Sequence, residues 1–344
     1  MKEDFPFLPS GCQVRLDKTT QDVVLENLKS QIANRCAQIV AQLRFTKDDS
    51  LDSFLESSGL ELSDILRRGS HSWTKLRQDA GLETLPGSDL EEKLLKRVRA
   101  FAHVDDPLRA ESYQSLLAES APAYDDLSPA EQRIARMLYY SFWSDGGGFA
   151  SVSEGFDAMR RERAARAEIS SVVDLSFEAA RHVPYALEGP LADVPLQIHA
   201  RYQREEILAA LDFPRLPNSF REGVFYFAER NIDAFFVTLK KSEADYSPTT
   251  MYADYPISRD LFHWESQSTT SVNSPTGRRY LDGSSTVLLF VRQEQRDDFG
   301  TSPYLFLGPA RYVSHTGDRP IAITWKLQTV MPTDFFNHAS AVAQ

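Results

Sequence analysis

The sequence predicts an α+β fold in which a helical N-terminal part, residues 1–215, precedes a β-rich domain, residues 216–344. Upstream of Pro214, apolar residues recur at steps of three and four, as they do on one face of a helix. Downstream of it, aromatic and β-branched runs replace that period, and residues 321–327 alternate between apolar and polar side chains. A chain of 344 residues with 42% hydrophobic residues is long enough for both units.

The helical part is predicted from its apolar periodicity and its helix-start signals. Residues 20–44 form one amphipathic helix, and further helices are expected near 166–181 and 196–210. Two residue pairs have the spacing of a capping box, in which each side chain accepts from the other residue's backbone N–H. These pairs are Ser88 with Glu91 and Ser128 with Glu131.

Residues 50–81 are predicted to form three short helical pieces. Gly59, Gly69 and Gly81 are interpreted as their C-caps, because glycine adopts a positive φ without steric cost. The third piece carries Trp73, Lys75, Arg77 and Gln78, which is the composition of a recognition helix. The segment is therefore either a helix-turn-helix-like unit that contacts DNA or a small helical spacer with a solvated face.

The β-rich domain is predicted as several short strands separated by Gly and Pro turns, which is typical of a compact barrel or a strongly bent sheet. The hairpin turn is expected at Arg230-Asn231. The turn pair Asp282-Gly283 is expected to lead into a strand, and Gly308-Pro309 to close another. The predicted strands are Val224–Phe227, Ala234–Leu239, Val287–Val291, Tyr304–Leu307 and residues 321–327.

The net charge of −11 argues against a protein that coats nucleic acid non-specifically. From Arg215 onwards, however, acidic and basic residues nearly balance, so a local basic patch is expected there. The two cysteines, Cys12 and Cys36, do not suggest a disulfide framework. No signal peptide or membrane-spanning apolar run is evident, so we expect a cytoplasmic protein without membrane partners.

Motifs that carry catalysis are missing from the sequence. It has no phosphate-binding loop, no nucleophile elbow, no His-x-Lys pattern, and no histidine pair at the i, i+4 spacing of a metal helix. We therefore expect no cofactor, no metal and no catalytic residue, and an isolated chain that neither hydrolyses ATP nor cuts DNA. One alternative is a metal-dependent nuclease that uses Asp254 or Asp260 with Glu265, although Gln267 stands where a lysine is expected.

Residues 246–280 combine the three ingredients of nucleotide recognition, and Lys240 and Lys241 precede them. Aromatic rings stack on bases, polar side chains bind base edges, and cations contact phosphates. Tyr252 and Trp264 are the stacking candidates, Glu265 and Gln267 are the base-edge candidates, and Tyr255, Thr269 and Thr270 are further candidates. The phosphate candidates are Lys240, Lys241, Arg278 and Arg279.

The same residues have a structural interpretation. Phe262 and Trp264 would then be core residues, His263 a buried hydrogen-bond partner and the Ser/Thr run a solvated loop. Because side chains alternate along a strand, Glu265 and Gln267 share one face and Trp264 has the other. We expect Glu265 and Gln267 to face a pocket while Trp264 packs in the core, unless a strand break lets all three converge.

Five stretches of the sequence carry a family resemblance: Phe235–Leu239, Asp245–Tyr252, Leu261–Ser271, Ser274–Gly277 and Phe306–Pro309 with Tyr312–His315. They resemble a domain of unknown function at the C-terminus of bacterial superfamily-two helicases, as in the SauUSI-type, type IV modification-dependent restriction enzymes. The resemblance implies an SRA- or PUA-like barrel that reads a modified cytosine in DNA, as part of a restriction system.

The resemblance also implies partners. These are modified DNA and the helicase and nuclease domains of a parent protein or of a partner chain, and a homodimer stays open. Since the sequence contains no helicase or nuclease motif, we expect it to be a fragment or a stand-alone reader. The function that we predict from the sequence is recognition of a flipped-out base. The remaining alternative is a structural module that couples a motor to its dimer partner.

Overall fold

The computed structural model describes residues 35–46, 48–67, 69–82, 87–240 and 254–342. It confirms the α+β class: helices occupy residues 35–178, and a mixed sheet dominates the C-terminal part. Lys241, Tyr252 and the start of the helix predicted at 20–44 lie outside the described residues. None of the described helices is both long and apolar enough to span a membrane.

The helical part is organised around α9, which contacts α2, α4, α5, α6 and α8. Serine side chains cap α2, α4, α5, α7 and α8 by accepting a hydrogen bond from a backbone N–H of the first turn. The helices are α1 (35–43), α2 (Leu51–Ser58), α3 (Leu62–Leu66), α4 (Trp73–Ala80), α5 (Asp89–Leu95), α6 (Pro107–Leu117), α7 (Pro129–Phe142), α8 (Val152–Arg160), α9 (Arg163–Glu178), α10 (Arg204–Ala210), α11 (Pro275–Asp282) and α12 (Thr333–Val342).

The capping box of Ser128 and Glu131 is confirmed, whereas the one predicted for Ser88 and Glu91 is wrong. Ser88 caps α5 as expected, but the Glu91 carboxylate accepts hydrogen bonds from the backbone N–H groups at the start of α9, at 2.8 and 3.1 Å. This carboxylate satisfies N–H groups that no intrahelical carbonyl can reach. Glu91 therefore ties α5 to α9.

Residues 50–81 do form three helices, but the third does not present its N-terminus to solvent. The backbone N–H groups of Trp73 and Thr74 donate to the Glu168 carboxylate at 2.7 and 2.8 Å, and Trp73 is buried. Lys75 pairs with Asp79, and α3 ends at Arg67 rather than at Gly69. Because a helix-turn-helix protein places this helix end in the DNA groove, these contacts favour the spacer interpretation.

The sheet has the strand order β4-β5-β8-β9-β10-β7-β6, and β3 adds to β9. The β5–β8 pair is parallel and the others are antiparallel. Among the described residues the sheet is open, so the predicted barrel closure is not found. The strands are β1 (Tyr185–Ala186), β2 (Gln197–Ile198), β3 (Arg201–Tyr202), β4 (Val224–Phe227), β5 (Ile232–Thr238), β6 (Tyr255–Pro256), β7 (Leu261–Glu265), β8 (Thr286–Arg292), β9 (Tyr304–Thr316) and β10 (Ala322–Leu327).

The predicted β4–β5 hairpin and the alternating strand β10 are confirmed. Other boundaries differ for local reasons. The helix predicted at 196–210 begins only at Arg204, because β2 and β3 precede it. Gly308, at φ 91°, continues β9 through a register shift rather than closing it. Ser274 starts α11, and Gly283 is the C-cap of that helix instead of part of a tight turn.

The two faces of the sheet have different coverings. On one face, Phe236 and Phe290 join a hydrophobic cluster that continues into the helical part. On the other face, Phe235 and Leu289 join a second cluster that contains Trp325, with α11 and α12 packed over it. Adjacent residues of a strand point to opposite faces, so each central strand contributes to both clusters.

A buried ionic network joins α6 to the segment that contains β3 and α10. The guanidinium of Arg109 is fully buried and donates to Asp106, to Glu206 at 2.9 Å and to Asp105 at 3.3 Å. His103 hydrogen-bonds with Glu206 at 2.6 Å. Burial raises the pKa of Glu206, but Arg109 and His103 outweigh that effect and lower it to about 2. The helical part and the sheet are thus connected by buried charged side chains that stabilise one another.

We expect Arg109→Met to lower the free energy of unfolding by about 3–5 kcal/mol, because it leaves buried carboxylates without their counter-charge. Chemical denaturation of the full chain measures this. Lys75→Met is the control: its ion pair with Asp79 is exposed, so its loss should cost less than about 1 kcal/mol. Equal effects of the two substitutions would contradict the role given to the network.

Candidate functional site

The sheet bends so strongly that its distant strands meet on one face. The ring centroids of Phe235 in β5 and Trp264 in β7 are 4.2 Å apart, although β8, β9 and β10 lie between these strands in the sheet order. Tyr280 of α11 packs edge-on against both rings, at 5.3 and 5.6 Å. This is the strongly bent sheet that the turn pattern predicted, and the bend leaves a hollow beside α11.

That hollow, the concave-face cleft, has a volume of about 390 Å³. Ligand pockets in proteins begin at roughly this size. Its aromatic lining is Tyr226, Trp264 and Tyr280. Its hydrogen-bonding lining is Gln267, Thr269, Thr270, Ser274 and Thr276, and its charged lining is Asp233 and Arg279. The cleft thus offers flat apolar surfaces beside several hydroxyls and one amide.

Five predicted site residues line this cleft: Trp264, Gln267, Thr269, Thr270 and Arg279. Four described ones do not. Tyr255 stacks on His263 at 4.6 Å, Lys240 pairs with Glu294 at 3.2 Å, and Arg278 is exposed on α11. Glu265 ends β7, and its backbone N–H donates to Asp254.

Trp264 packs in the core, as expected, with a side chain that is 5% exposed. The predicted pairing of Glu265 with Gln267 is wrong, because Gln267 shares the cleft with Trp264 and Glu265 does not line it. The strand ends at Glu265, and Ser266 is then fixed to Ile321 by two hydrogen bonds of 2.9 Å. Alternation stops where the strand stops, so the side chain of Gln267 is placed by this anchor rather than by the pleat.

Arg279 forms an ion pair within the protein, whereas the sequence predicted that it contacts a phosphate. Its Nε and Nη2 atoms donate to both carboxylate oxygens of Asp233, at 2.7 and 2.9 Å, and Asp233 is fully buried. Hydrogen bonding to Asp233 raises the pKa of Arg279. Its guanidinium also lies 3.8 Å from the ring centroid of Tyr226. The charge is therefore neutralised inside the cleft, where the flat group forms part of the lining.

Sequence reasoning missed Asp233 and Tyr226, because they lie on β4 and β5, far from Arg279 along the chain. A signal for Asp233 was available. It is the single charged residue of the strand Ile232–Thr238, and a buried carboxylate needs a charged or hydrogen-bonding partner. Ser285 supplies a third hydrogen bond to it, at 2.6 Å.

The structure separates one of the two carboxylate pairs of the nuclease alternative, Asp260 with Glu265, whereas Asp254 accepts the backbone N–H of Glu265 at 3.1 Å. No group of three or more potential metal ligands occurs within the part of the chain that the structure describes. Asp260 precedes β7 and Glu265 ends it, so they are about 16 Å apart along the chain direction of the strand. Asp260 instead interacts with Lys326 and Ser258.

The comparisons bear on this same region. Residues 196–339 match the family model of DUF3427, a domain of unknown function. The matched segment begins before the predicted boundary at residue 216 and includes β2, β3 and α10, which supply one side of the buried ionic network. The concave-face cleft lies wholly within the DUF3427 segment. No curated protein matches the chain.

We expect Gly277→Ala to deform the cleft, because a Cβ atom there would lie 2.0 Å from the backbone oxygen of Ser271. That contact forces α11, which carries Arg279, away from the loop. A cost of about 1–3 kcal/mol in unfolding free energy is typical of such overpacking. Gly223→Ala is the matched control, since its added Cβ meets its nearest atom at an ordinary 3.7 Å. Denaturation curves that show no difference between the two variants would contradict the close approach.

Proposed function

We propose that the DUF3427 segment binds DNA and recognises one modified base in the concave-face cleft. The observation that carries the proposal is the composition of this cleft, which places aromatic rings next to an amide and several hydroxyls. A flipped base is read by stacking and by hydrogen bonds to its edge, and the cleft offers groups for both. Five residues selected from the sequence for these roles line it.

The free energies of base flipping and stacking indicate that the polar side chains discriminate between modified and unmodified bases. Flipping a base out of the duplex costs a few kcal/mol, and stacking on an aromatic group returns about 1–3 kcal/mol. Since these terms nearly cancel, preference for a modified base depends on hydrogen bonds and shape. Gln267 is the principal candidate because its amide both donates and accepts, and Thr269 and Thr270 stand beside it.

Two roles differ from the initial expectation. One ring face of Trp264 is already stacked on Phe235, so Trp264 forms the floor of the cleft. The ion pair of Arg279 with Asp233 holds a flat guanidinium at the wall, where it supports stacking rather than phosphate contact. Arg278, the exposed neighbour on α11, takes the phosphate role.

From the resemblance to SauUSI-type enzymes we propose a more specific role for the chain. The chain would act as the target-recognition module of a modification-dependent restriction helicase, and the base would be a modified cytosine. The helicase and nuclease domains would belong to a parent protein or to a partner chain. The helical part would then connect the reader to the motor, and its buried ionic contacts with the DUF3427 segment suit a rigid connection.

We expect Gln267→Ala to abolish the preference for modified over unmodified DNA while the protein folds normally. A lost bidentate base contact should cost roughly 1–3 kcal/mol of discrimination. Competition binding with duplexes that carry 5-methylcytosine, 5-hydroxymethylcytosine or cytosine measures it. Gln328→Ala is the control, because Gln328 is exposed and does not line the cleft. A folded Gln267→Ala protein that keeps its preference would refute the base-reading role.

We expect substitutions of the two arginines of α11, Arg278 and Arg279, to have different effects. Arg278→Ala should weaken binding to every sequence alike and reduce the slope of log K against log salt by about one, as loss of one phosphate contact does. Arg279→Ala should instead destabilise the protein, because it leaves Asp233 buried without its counter-charge. Salt titrations and melting curves distinguish the two, and an unchanged slope for Arg278→Ala would mean that it is ordinary surface.

A further inference from the structure

A second cleft, the junction cleft, lies between the helical part and the loop that joins β8 to β9. Its volume is about 590 Å³. The helical wall carries Lys96, Arg97 and Arg99, just after α5. Arg201 of β3 and Arg296 of the β8–β9 loop are the other cations that line it. In a protein with a net charge of −11, five cationic side chains around one cleft form an unusual concentration of positive charge.

Several of these cations are not neutralised. Arg97 donates through Nε and Nη2 to the backbone carbonyl of Ser141, which orients it without cancelling its charge. Lys96 is exposed, and its ion pair with Glu92, at 3.8 Å, is exposed as well, so water screens it. Arg296 is exposed and has no carboxylate partner within the described ranges. Each of these side chains therefore retains a positive charge that an anion could meet.

Three acidic side chains, those of Asp297, Asp298 and Glu205, also line this cleft. Asp297 accepts the backbone N–H groups of Phe299 and Gly300, at 2.9 and 3.0 Å, within its own loop. Asp298 lies 3.6 Å from Arg67, a residue that does not line the cleft. Glu205 is the third acidic side chain there. With five cations and three carboxylates, the lining has a formal net charge of +2.

The cleft is also built on fixed supports. Asp105 holds Arg201 through both its backbone N–H and its Nε atom, each at 2.8 Å, and Asp105 in turn binds the buried Arg109. Gln203 donates to the carbonyl of Thr301 at 2.8 Å and ties the β8–β9 loop to the start of α10. These contacts hold the two walls at a set distance before any ligand arrives.

We propose that the junction cleft binds the phosphodiester backbone of a nucleic acid strand. Arginine and lysine are the side chains that contact phosphates, and a cleft with cations on both walls suits a strand with repeated negative charges better than a single small anion. This proposal shares the ligand class of the proposed function but rests on separate residues. Base recognition in the concave-face cleft could fail without affecting it.

The two clefts are separate sites, because the concave-face cleft lies on the Phe235 side of the sheet and the junction cleft lies against the helical part, which packs on the Phe236 side. Asp233 is paired with Val287 near the start of β8, whereas Arg296 follows the end of β8. Five residue steps of β8, about 17 Å of strand, lie between Val287 and Arg292.

The test compares Lys96→Glu with Lys93→Glu in the full chain. Both lysines are exposed in or next to α5, but only Lys96 lines the junction cleft. We expect Lys96→Glu to weaken binding of a labelled, unmodified duplex by about tenfold and to reduce the salt slope, while Lys93→Glu stays near the original protein. Arg296→Glu on the opposite wall should reproduce the loss. Melting temperatures should be unchanged, since all three side chains are exposed.

Two results would overturn the proposal. One is equal duplex affinity for the Lys96→Glu and Lys93→Glu proteins. The other is loss of pyrophosphate binding in Lys96→Glu with duplex binding intact, because the cleft would then take a small phosphate compound. Neither result concerns base preference, so a competition assay of the Lys96→Glu protein with modified and unmodified duplexes tests the concave-face cleft separately.

Discussion

The contact between Phe235 and Trp264 holds together the part of the molecule that concerns function. These rings belong to strands separated by three others, so they can stack only if the sheet bends through its full width. Burial of large aromatic groups is a strong stabilising term, and loss of such a ring typically costs 3–5 kcal/mol. The bend leaves room beside α11 for a cleft that a flat sheet would not have.

Electrostatic pairing decides which cations are available to a ligand. Arg109, Arg201 and Arg279 are bound to carboxylates, and the guanidinium of Arg109 is fully buried. Arg97, Arg278 and Arg296 carry no such partner among the described residues. A count of basic residues along the sequence does not separate these groups, although a paired arginine shapes the protein and an unpaired one can meet a phosphate.

The helical part and the DUF3427 segment are physically continuous. β3 extends the sheet, α10 packs on α7, and the carboxylates of Asp105 and Glu206 converge on Arg109 from the two sides. Breaking such a buried network costs several kcal/mol, so the two parts are expected to move as one. A domain joined this firmly to its helical neighbour can transmit force or position, which suits the connector role proposed for the helical part.

The sequence by itself determined the elements with strong local signals. The 3.6-residue apolar period, the Ser128–Glu131 capping box, the β4–β5 hairpin and the alternation in β10 depend on residues a few positions apart, so they survived in the structure. It also selected Trp264, Gln267, Thr269, Thr270 and Arg279, which lie in one segment and line one cleft.

The tertiary structure decided what depends on distant residues. The partner of Arg279 is Asp233, on a strand far upstream, and no local pattern pairs them. Glu91 fits the spacing of a capping box but serves α9, because that helix presents unpaired N–H groups at closer range. The hydrogen bonds between Ser266 and Ile321 set the direction of the Gln267 side chain. The pairing of the strands determined that the sheet is open. Local periodicity determines the secondary structure of a segment, whereas its tertiary contacts determine which of its side chains line a cleft.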